Sequence, residues 1–385
     1  MGVDKMFKVL KNATVIAPDN LGKKDVLVVN DTIVRIADNI PQLPFDDVEV
    51  MDLEGMYLTP GFVDQHVHIT GGGGEGGFAT RVPEVMLSEL TRYGVTSVVG
   101  VGGTDDVTRS MPNLLAKARG LEEEGISTWI YSGAYPAMTG PRFTDNLRTD
   151  LMLIDKVIGG KVAMSDHRSS QPTTEDYAKL VAETRMGGMM SGKAGVLHIH
   201  IGLGKRMLDP IFEILENTEV PASNFTPTHL NRNPELLAQA IKLAKMGSCI
   251  DFTARMNMPM TEVIPICLAA GVDAEKITIS SDGNGSMPKF NEKGEYIGLT
   301  AATTDGLLLE VQDLVKSGFE LSKAICFITA NPARNLKLHK KGFIKVGNHA
   351  DFVVLDKDLN IVHVMAKGRI MVRDKQIIVK GTFEK

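Results

Sequence analysis

The amino-acid sequence predicts an α/β protein: a (β/α)8, TIM-like barrel with a small β-sandwich built from both chain termini. Three observations predict it. Through the middle of the chain, eight short apolar segments alternate with amphipathic helical patterns, a count that closes a barrel where an open sheet would use fewer strands. Both ends of the chain read as short strands and turns. The length of 385 residues exceeds the roughly 250 to 300 at which single cores stop growing, which leaves room for a smaller second domain. The expected division is 1–58 for the first part of the sandwich, 59–341 for the barrel and 342–385 for the second part.

Taken in order, FKVLKNATVI, DVLVVNDTIVRIAD and VEVMDLEGMYLTP are rich in β-formers broken by turn residues, which favours small antiparallel sheets over helices. The closing run DFVVLDKDLNIVHVMAKGRIMVRDKQIIVKG has the same character. Chain ends often meet, so both sets are expected in one β domain. Between them the strand candidates are GFVDQHVHI, GVTSVVGVG, STWIYSGAY, KVIGGKVAMSD, AGVLHIHIG, ASNFTPTHL, GSCIDFTA and KITISSDG. Helical spacing marks PEVMLSELTRY, MPNLLAKARGLEEE, TEDYAKLVAETRMGG, LDPIFEILENT, PELLAQAIKLAKM and MTEVIPICLAAG. The 20 methionines read as adaptable core packing, and EEEG, KLHKKG and NEKGE as solvated loops and helix ends.

Composition narrows the partners. With 42 Lys plus Arg against 47 Asp plus Glu, a net charge of -5 gives no footprint for nucleic acid or an anionic membrane. Cys249, Cys267 and Cys326 are an odd set without CxxC spacing, so neither a disulfide framework nor a thiolate metal site is expected. The opening residues lack a signal-peptide pattern and no apolar run is long enough to span a bilayer. The expectation is a cytoplasmic protein acting on a small molecule.

Barrel chemistry belongs at the C-terminal strand ends. His66 and His68 end the first barrel strand; two residues apart, they share a face and can converge on one ion. Neutral imidazole is a good ligand for borderline divalent metals, although two buried, hydrogen-bonded histidines would leave the same letters. Lys161 lies within strand four, while His200, His229 and Asp282 end strands five, six and eight. An ammonium beside divalent cations is repelled, whereas a lysine carbamylated by carbon dioxide offers a negative two-oxygen bridge. An unmodified Lys161 forming a Schiff base or neutralising an anion is the alternative. Alternation points His198 with His200, below the metal layer, and His167 is expected just behind the ligands.

Further polar groups surround the expected mouth. Glu75 in GGGGEGG can accept hydrogen bonds from an ammonium group or be a solvated loop acid. Arg168 and Arg232 follow strands four and six, where guanidinium forks can grip a carboxylate or fasten a loop. Tyr135 in SGAYP is a candidate donor or an aromatic loop anchor, and the turn Gly283 to Ser286 is expected to carry ligand contacts. No GK[ST] follows the glycines, which excludes a phosphate loop. SSDGNGS lacks the G-x-S-x-G elbow of an acyl-serine mechanism.

Together, PGFVDQHVHITGGGGEGG, the strand-four lysine, the two later histidines and SSDGNGS resemble the amidohydrolase superfamily, most closely its isoaspartyl dipeptidase (β-aspartyl peptidase) branch, over essentially the whole chain. The resemblance implies two zinc ions per subunit: one held by His66, His68 and Asp282, the other by His200 and His229, with carboxylated Lys161 bridging them. Such ions, about 3.5 to 4 Å apart, acidify a shared water and polarise the scissile carbonyl. Asp282 would move the proton to the leaving amine. Glu75 would recognise the free α-amino group, Arg168, Arg232 and Ser286 the carboxylates, and Tyr135 the developing oxyanion. The implied activity is hydrolysis of isoaspartyl dipeptides, small zwitterions, by a protein for which the resemblance allows a homo-oligomer. A dihydroorotase, hydantoinase or deacylase type of amidohydrolase is the enzyme alternative, and a non-catalytic interaction protein the other.

Overall fold

The structure, a computed structural model, describes residues 5–290 and 296–385; the stretch NEKGE, 291–295, lies outside the described residues. Eight parallel strands form the central element: β1 Phe62–Val67, β2 Val95–Gly100, β3 Ser127–Gly133, β4 Val157–Met164, β5 Val196–Ile201, β6 Phe225–Thr228, β7 Ile250–Thr253 and β8 Ile277–Ser280. Strands β1 to β6 pair in chain order, and β7 pairs with β8. The ring closes where His68 N–H donates to Gly283 O at 2.9 Å and Leu230 N–H donates to Asp251 O at 3.4 Å. Each strand falls inside an apolar segment expected from sequence. Their residues are buried, save the half-buried Trp129 of β3, as a barrel wall covered by helices requires.

Helix boundaries follow capping chemistry. Met111–Glu124 begins where Ser110 accepts the Asn113 N–H, and ends at Gly125 with φ 132°. Thr174–Ser191 starts on a reciprocal Thr173–Asp176 capping box and stops at the left-handed Gly192. The helix expected over 83–93 is confined to Leu87–Thr91. Val82 and Val85 spend their N–H groups on Gly72 O and Ile69 O, at 3.0 and 3.1 Å, which ties the chain to the neighbouring loop and delays the helix. Leu147–Leu153, Gly306–Lys316 and the hairpin of Ser286–Phe290 with Tyr296–Ala301 were not expected from the sequence. Among the described residues no helix is long and apolar enough to cross a membrane.

The two chain ends share one nine-stranded sheet. Phe7–Ile16 pairs with Asn20–Val29, Val48–Asp52 and Tyr57–Pro60, and Tyr57–Pro60 in turn pairs antiparallel with Phe352–Leu355. Leu10, Val26, Leu58, Phe352 and Val354 fill its core. The joint to the barrel is polar but satisfied: buried Lys341 and Asp351 pair at 2.6 Å, and Asp351 O accepts the Gly61 N–H at 2.8 Å, one residue before β1. At the opposite end of the strands from the histidines, Val63, Val99, Tyr131 and Ile158 close the barrel floor against Ala333, Leu336 and Leu338.

Candidate metal centre and active site

Above that floor lies a polar layer that fixes the strands. The fully buried Asp251 carboxylate accepts from Gln65, Thr228, Thr278 and Ser280, at 2.6 to 2.7 Å, so donors from β1, β6 and β8 satisfy its lone pairs at once. Asp64 does the same between β1 and β8, accepting the His66 N–H at 3.3 Å, the Ser281 N–H at 3.2 Å and the Ser281 hydroxyl. Ser281 Oγ then accepts the Gly283 N–H at 2.8 Å. Both residues flanking Asp282 are thereby fastened. Asp282 itself takes φ 53°, a left-handed conformation that aspartate tolerates better than most residues.

This scaffold gathers the first candidate ligand set. His66 Nε2 and His68 Nε2 stand 3.4 and 3.2 Å from the same oxygen, Oδ1 of Asp282. One ligand atom from each residue lies within 4.8 Å of the other two. That Asp282 oxygen is buried with no hydrogen-bond partner among the described residues, an arrangement costly for a carboxylate unless a cation satisfies it. Burial raises the Asp282 carboxyl, but the neighbouring His68, with Lys161 and His200, holds it below the ordinary range.

The second set is held differently. Lys161 Nζ sits 3.4 Å from His66 Nε2, and burial draws its amine down to about 7. The His200 and His229 rings are 4.6 Å apart and nearly perpendicular. His229 Nδ1 lies 2.7 Å from Thr253 Oγ1. His200 Nε2 lies 2.9 Å from Asp166 Oδ2, with the Tyr135 hydroxyl 2.9 Å from its Nδ1. His66 Nδ1 meets His198 Nε2 at 2.8 Å, and His198 stacks on Tyr131 at 4.8 Å. Burial lowers His66, His198 and His229 well below the usual imidazole range and takes His200 to about 3. Neutral rings keep the lone pair a divalent ion needs, and a partner on one nitrogen presents the other.

A cavity of about 360 Å³ opens above these groups, lined by Glu75, Tyr135, Arg168, Arg232 and Ser286 with His68, His200 and Asp282. Arg168 reaches Asp166 through two N–H···O bonds of 3.0 and 2.9 Å, comes within 3.4 Å of Glu75 Oε1, and lies 5.2 Å above the Tyr135 ring. Arg232 Nε donates to Ile201 O at 3.0 Å. Ser286 Oγ is buried without a partner among the described residues. Burial pushes the Tyr135 hydroxyl well above its ordinary pKa, so it remains a donor. Gly71 holds φ 85°, and a Cβ there would meet Val82 O at 1.9 Å, so the loop that carries Glu75 needs glycine at this turn.

Every site residue expected from sequence lies in this cluster or on its rim. His198 is beneath the cluster as alternation predicts, but His167 is not behind the ligands: its side chain is 88% exposed and turned away from the cavity. It is the first residue to leave the strand-four loop toward solvent, while Asp166 beside it turns inward. Sequence reasoning passed over Asp166, Thr253 and Asp251. A carboxylate amid the apolar letters of GSCIDFTA was a usable signal for Asp251; a loop aspartate and a strand threonine carry none.

Residues 57–371 match the model of the amidohydrolase family. Among solved structures, the beta-aspartyl dipeptidase of Fervidobacterium islandicum AW-1, in complex with the beta-Asp-Leu dipeptide, is 43% identical and superposes with a TM-score of 0.91 over 97% of this chain and 98% of that one. A D-hydantoinase from Thermus sp. shares the fold at 17% identity and TM-score 0.71, covering 98% of both chains. The dihydroorotase of Carboxydothermus hydrogenoformans is 24% identical over 92% of this chain and 90% of its own length. With a closed eight-stranded barrel, a His-His-Asp cluster at its C-terminal mouth and these likenesses, the chain belongs to the amidohydrolase family, in its beta-aspartyl dipeptidase branch.

Proposed function

We propose that this protein hydrolyses isoaspartyl dipeptides with two zinc ions per subunit, bridged by a carboxylated Lys161. One observation carries the substrate reading. Around a metal-ligand cluster, the cavity sets an acid, Glu75, against the guanidinium groups of Arg168 and Arg232, with Arg255 also on its lining, in a space of about 360 Å³. A small zwitterion with a free amine and carboxylates complements that pattern; a neutral cyclic amide does not. The likeness to a protein crystallised with beta-Asp-Leu supports it.

The donor set suits the metal. His66, His68 and Asp282 form one nitrogen-nitrogen-oxygen site around an oxygen that lacks a hydrogen bond, and His200 with His229 supplies the nitrogens of a second. The Lys161 amine is buried among them, where carbon dioxide would convert it to an anion able to bridge. When bound, the ions acidify water and polarise the scissile carbonyl. The chain's own residues do the rest. Asp282 takes a proton from the attacking water and returns it to the leaving nitrogen as the C–N bond breaks, releasing aspartate and an amino acid. The Tyr135 hydroxyl donates to the oxyanion, Glu75 accepts from the substrate ammonium, and Arg168, Arg232 and Ser286 hold the carboxylates. The free Arg168–Glu75 pair at 3.4 Å gives way to these bonds as the zwitterion enters. We place the protein in the cytoplasm, in keeping with its unbridged cysteines, as a homo-oligomer without nucleic-acid or membrane partners.

The test is steady-state hydrolysis of β-Asp-Leu beside α-Asp-Leu, dihydroorotate and an N-acetyl amino acid, using protein loaded with zinc and bicarbonate. Turnover of the β-linked dipeptide above all others is expected. Preference for dihydroorotate would transfer the site to the chemistry of the dihydroorotases it resembles at lower identity.

A further inference from the structure

The cavity residues and the second histidine pair meet at one side chain that neither role accounts for. Asp166 is 6% exposed and both its oxygens are fully engaged. Oδ1 accepts the Arg168 backbone N–H at 2.8 Å and Arg168 Nε at 3.0 Å; Oδ2 accepts Arg168 Nη2 at 2.9 Å and lies 2.9 Å from His200 Nε2. Its loop is tied back on itself, since Ser169 N–H and Gln171 Nε2 donate to Asp166 O at 3.1 and 2.9 Å. The carboxylate is therefore a rigid pivot between a guanidinium on the cavity wall and an imidazole on its floor.

That geometry has a chemical consequence for His200. The Asp166 carboxylate accepts only and at 2.9 Å is nearer to Nε2 than the Arg168 Nη2 donor at 3.3 Å, so Nε2 carries the proton and Nδ1 keeps its lone pair. Nδ1 is the nitrogen that faces Tyr135 at 2.9 Å. We infer that Asp166 is a positioning residue that couples the two functions of the site: it fixes the His200 tautomer for metal binding and, through the same oxygen, sets the Arg168 fork that receives the substrate carboxylate. The inference rests on the dipeptidase reading for its substrate arm alone; the His200 arm stands on the ligand geometry.

An asparagine at 166 keeps the shape but places an NH2 where one acceptor was, so it cannot serve Arg168 and His200 together. Full-length protein carrying Asp166→Asn, Asp166→Glu or Arg168→Ala is compared with the parent, measuring zinc dissociation by chelator competition and kcat and KM on β-Asp-Leu. Arg168→Ala is expected to raise KM and to weaken zinc binding less than Asp166→Asn does, because Asp166 keeps its own contact with His200. Asp166→Asn is expected to raise KM and also to weaken zinc binding by about tenfold or more, the loss typical of a group that orients a metal-bound histidine. Asp166→Glu, which keeps the charge, should recover part of the zinc affinity. Parental zinc affinity in Asp166→Asn, or parental KM, overturns the coupling. Should thermal melting show that Asp166→Asn does not fold, Asp166→Glu decides: zinc affinity and KM shifted together support the inference, and a shift in one alone sinks it. If the parent leaves β-Asp-Leu intact, the substrate reading falls by itself; chelator competition, with KM on whichever amide is cleaved, still decides the role of Asp166.

Discussion

The two halves of the candidate metal centre are built on different principles. His66, His68 and Asp282 converge because the strands beneath them are locked: Asp64 clamps β1 to the residues around Asp282, and the ring closes through the His68–Gly283 bond. His200 and His229 are aimed by side chains instead, Asp166 and Tyr135 for one ring and Thr253 for the other. A site whose strands are clamped depends less on single ring partners, of which it has one in His198 against His66, whereas a site aimed by several side chains can be tuned one residue at a time.

The largest expected effect lies at Asp282, the residue proposed both to hold metal and to move the proton. Asp282→Asn should lower kcat by about a thousandfold, within the span of general acid-base losses; a variant retaining a tenth of parental turnover would remove Asp282 from proton transfer. Tyr135→Phe, which touches only the side-chain-aimed half, should lower kcat about a hundredfold with KM little changed, as for loss of one oxyanion donor. A fall confined to KM would make Tyr135 a binding group. Smaller still, Thr253→Val should weaken binding of one zinc equivalent about tenfold in chelator titration and spare the other. Equal weakening of both equivalents would erase the distinction between the halves.

The barrel was legible because each strand is an apolar run with β-branched letters, and because a strand-end rule tells which polar residues matter. His66, His68, His200, His229 and Asp282 lie at or next to strand ends as that rule requires, while Lys161 lies within β4. Its limits are equally physical. Alternation assumes regular pairing, yet the β1 ladder shifts register between Asp64 and Val67, so Asp64 and Gln65 both find inward partners. Asp166 was illegible because its meaning comes from His200, 34 positions away, while its nearest neighbour in sequence, His167, carries the more suggestive letter and faces solvent. The helix Gly306–Lys316 has an amphipathic stripe that was available to the same spacing argument; the strand count had already been met without it.

The seam between Tyr57–Pro60 and Phe352–Leu355 also sets a timetable. Thr59 donates to Val353 O across 294 positions of sequence, and β1 begins two residues beyond Pro60. At synthesis rates of about 5 to 20 residues per second, these two strands leave the ribosome roughly 15 to 60 seconds apart. The segment bearing His66 and His68 is thus made well before the strand that anchors it. A nascent chain holds these two histidines long before it holds the sheet that steadies them or the Asp282 that completes the set, which defers assembly of the candidate ligand cluster until β8 has been made.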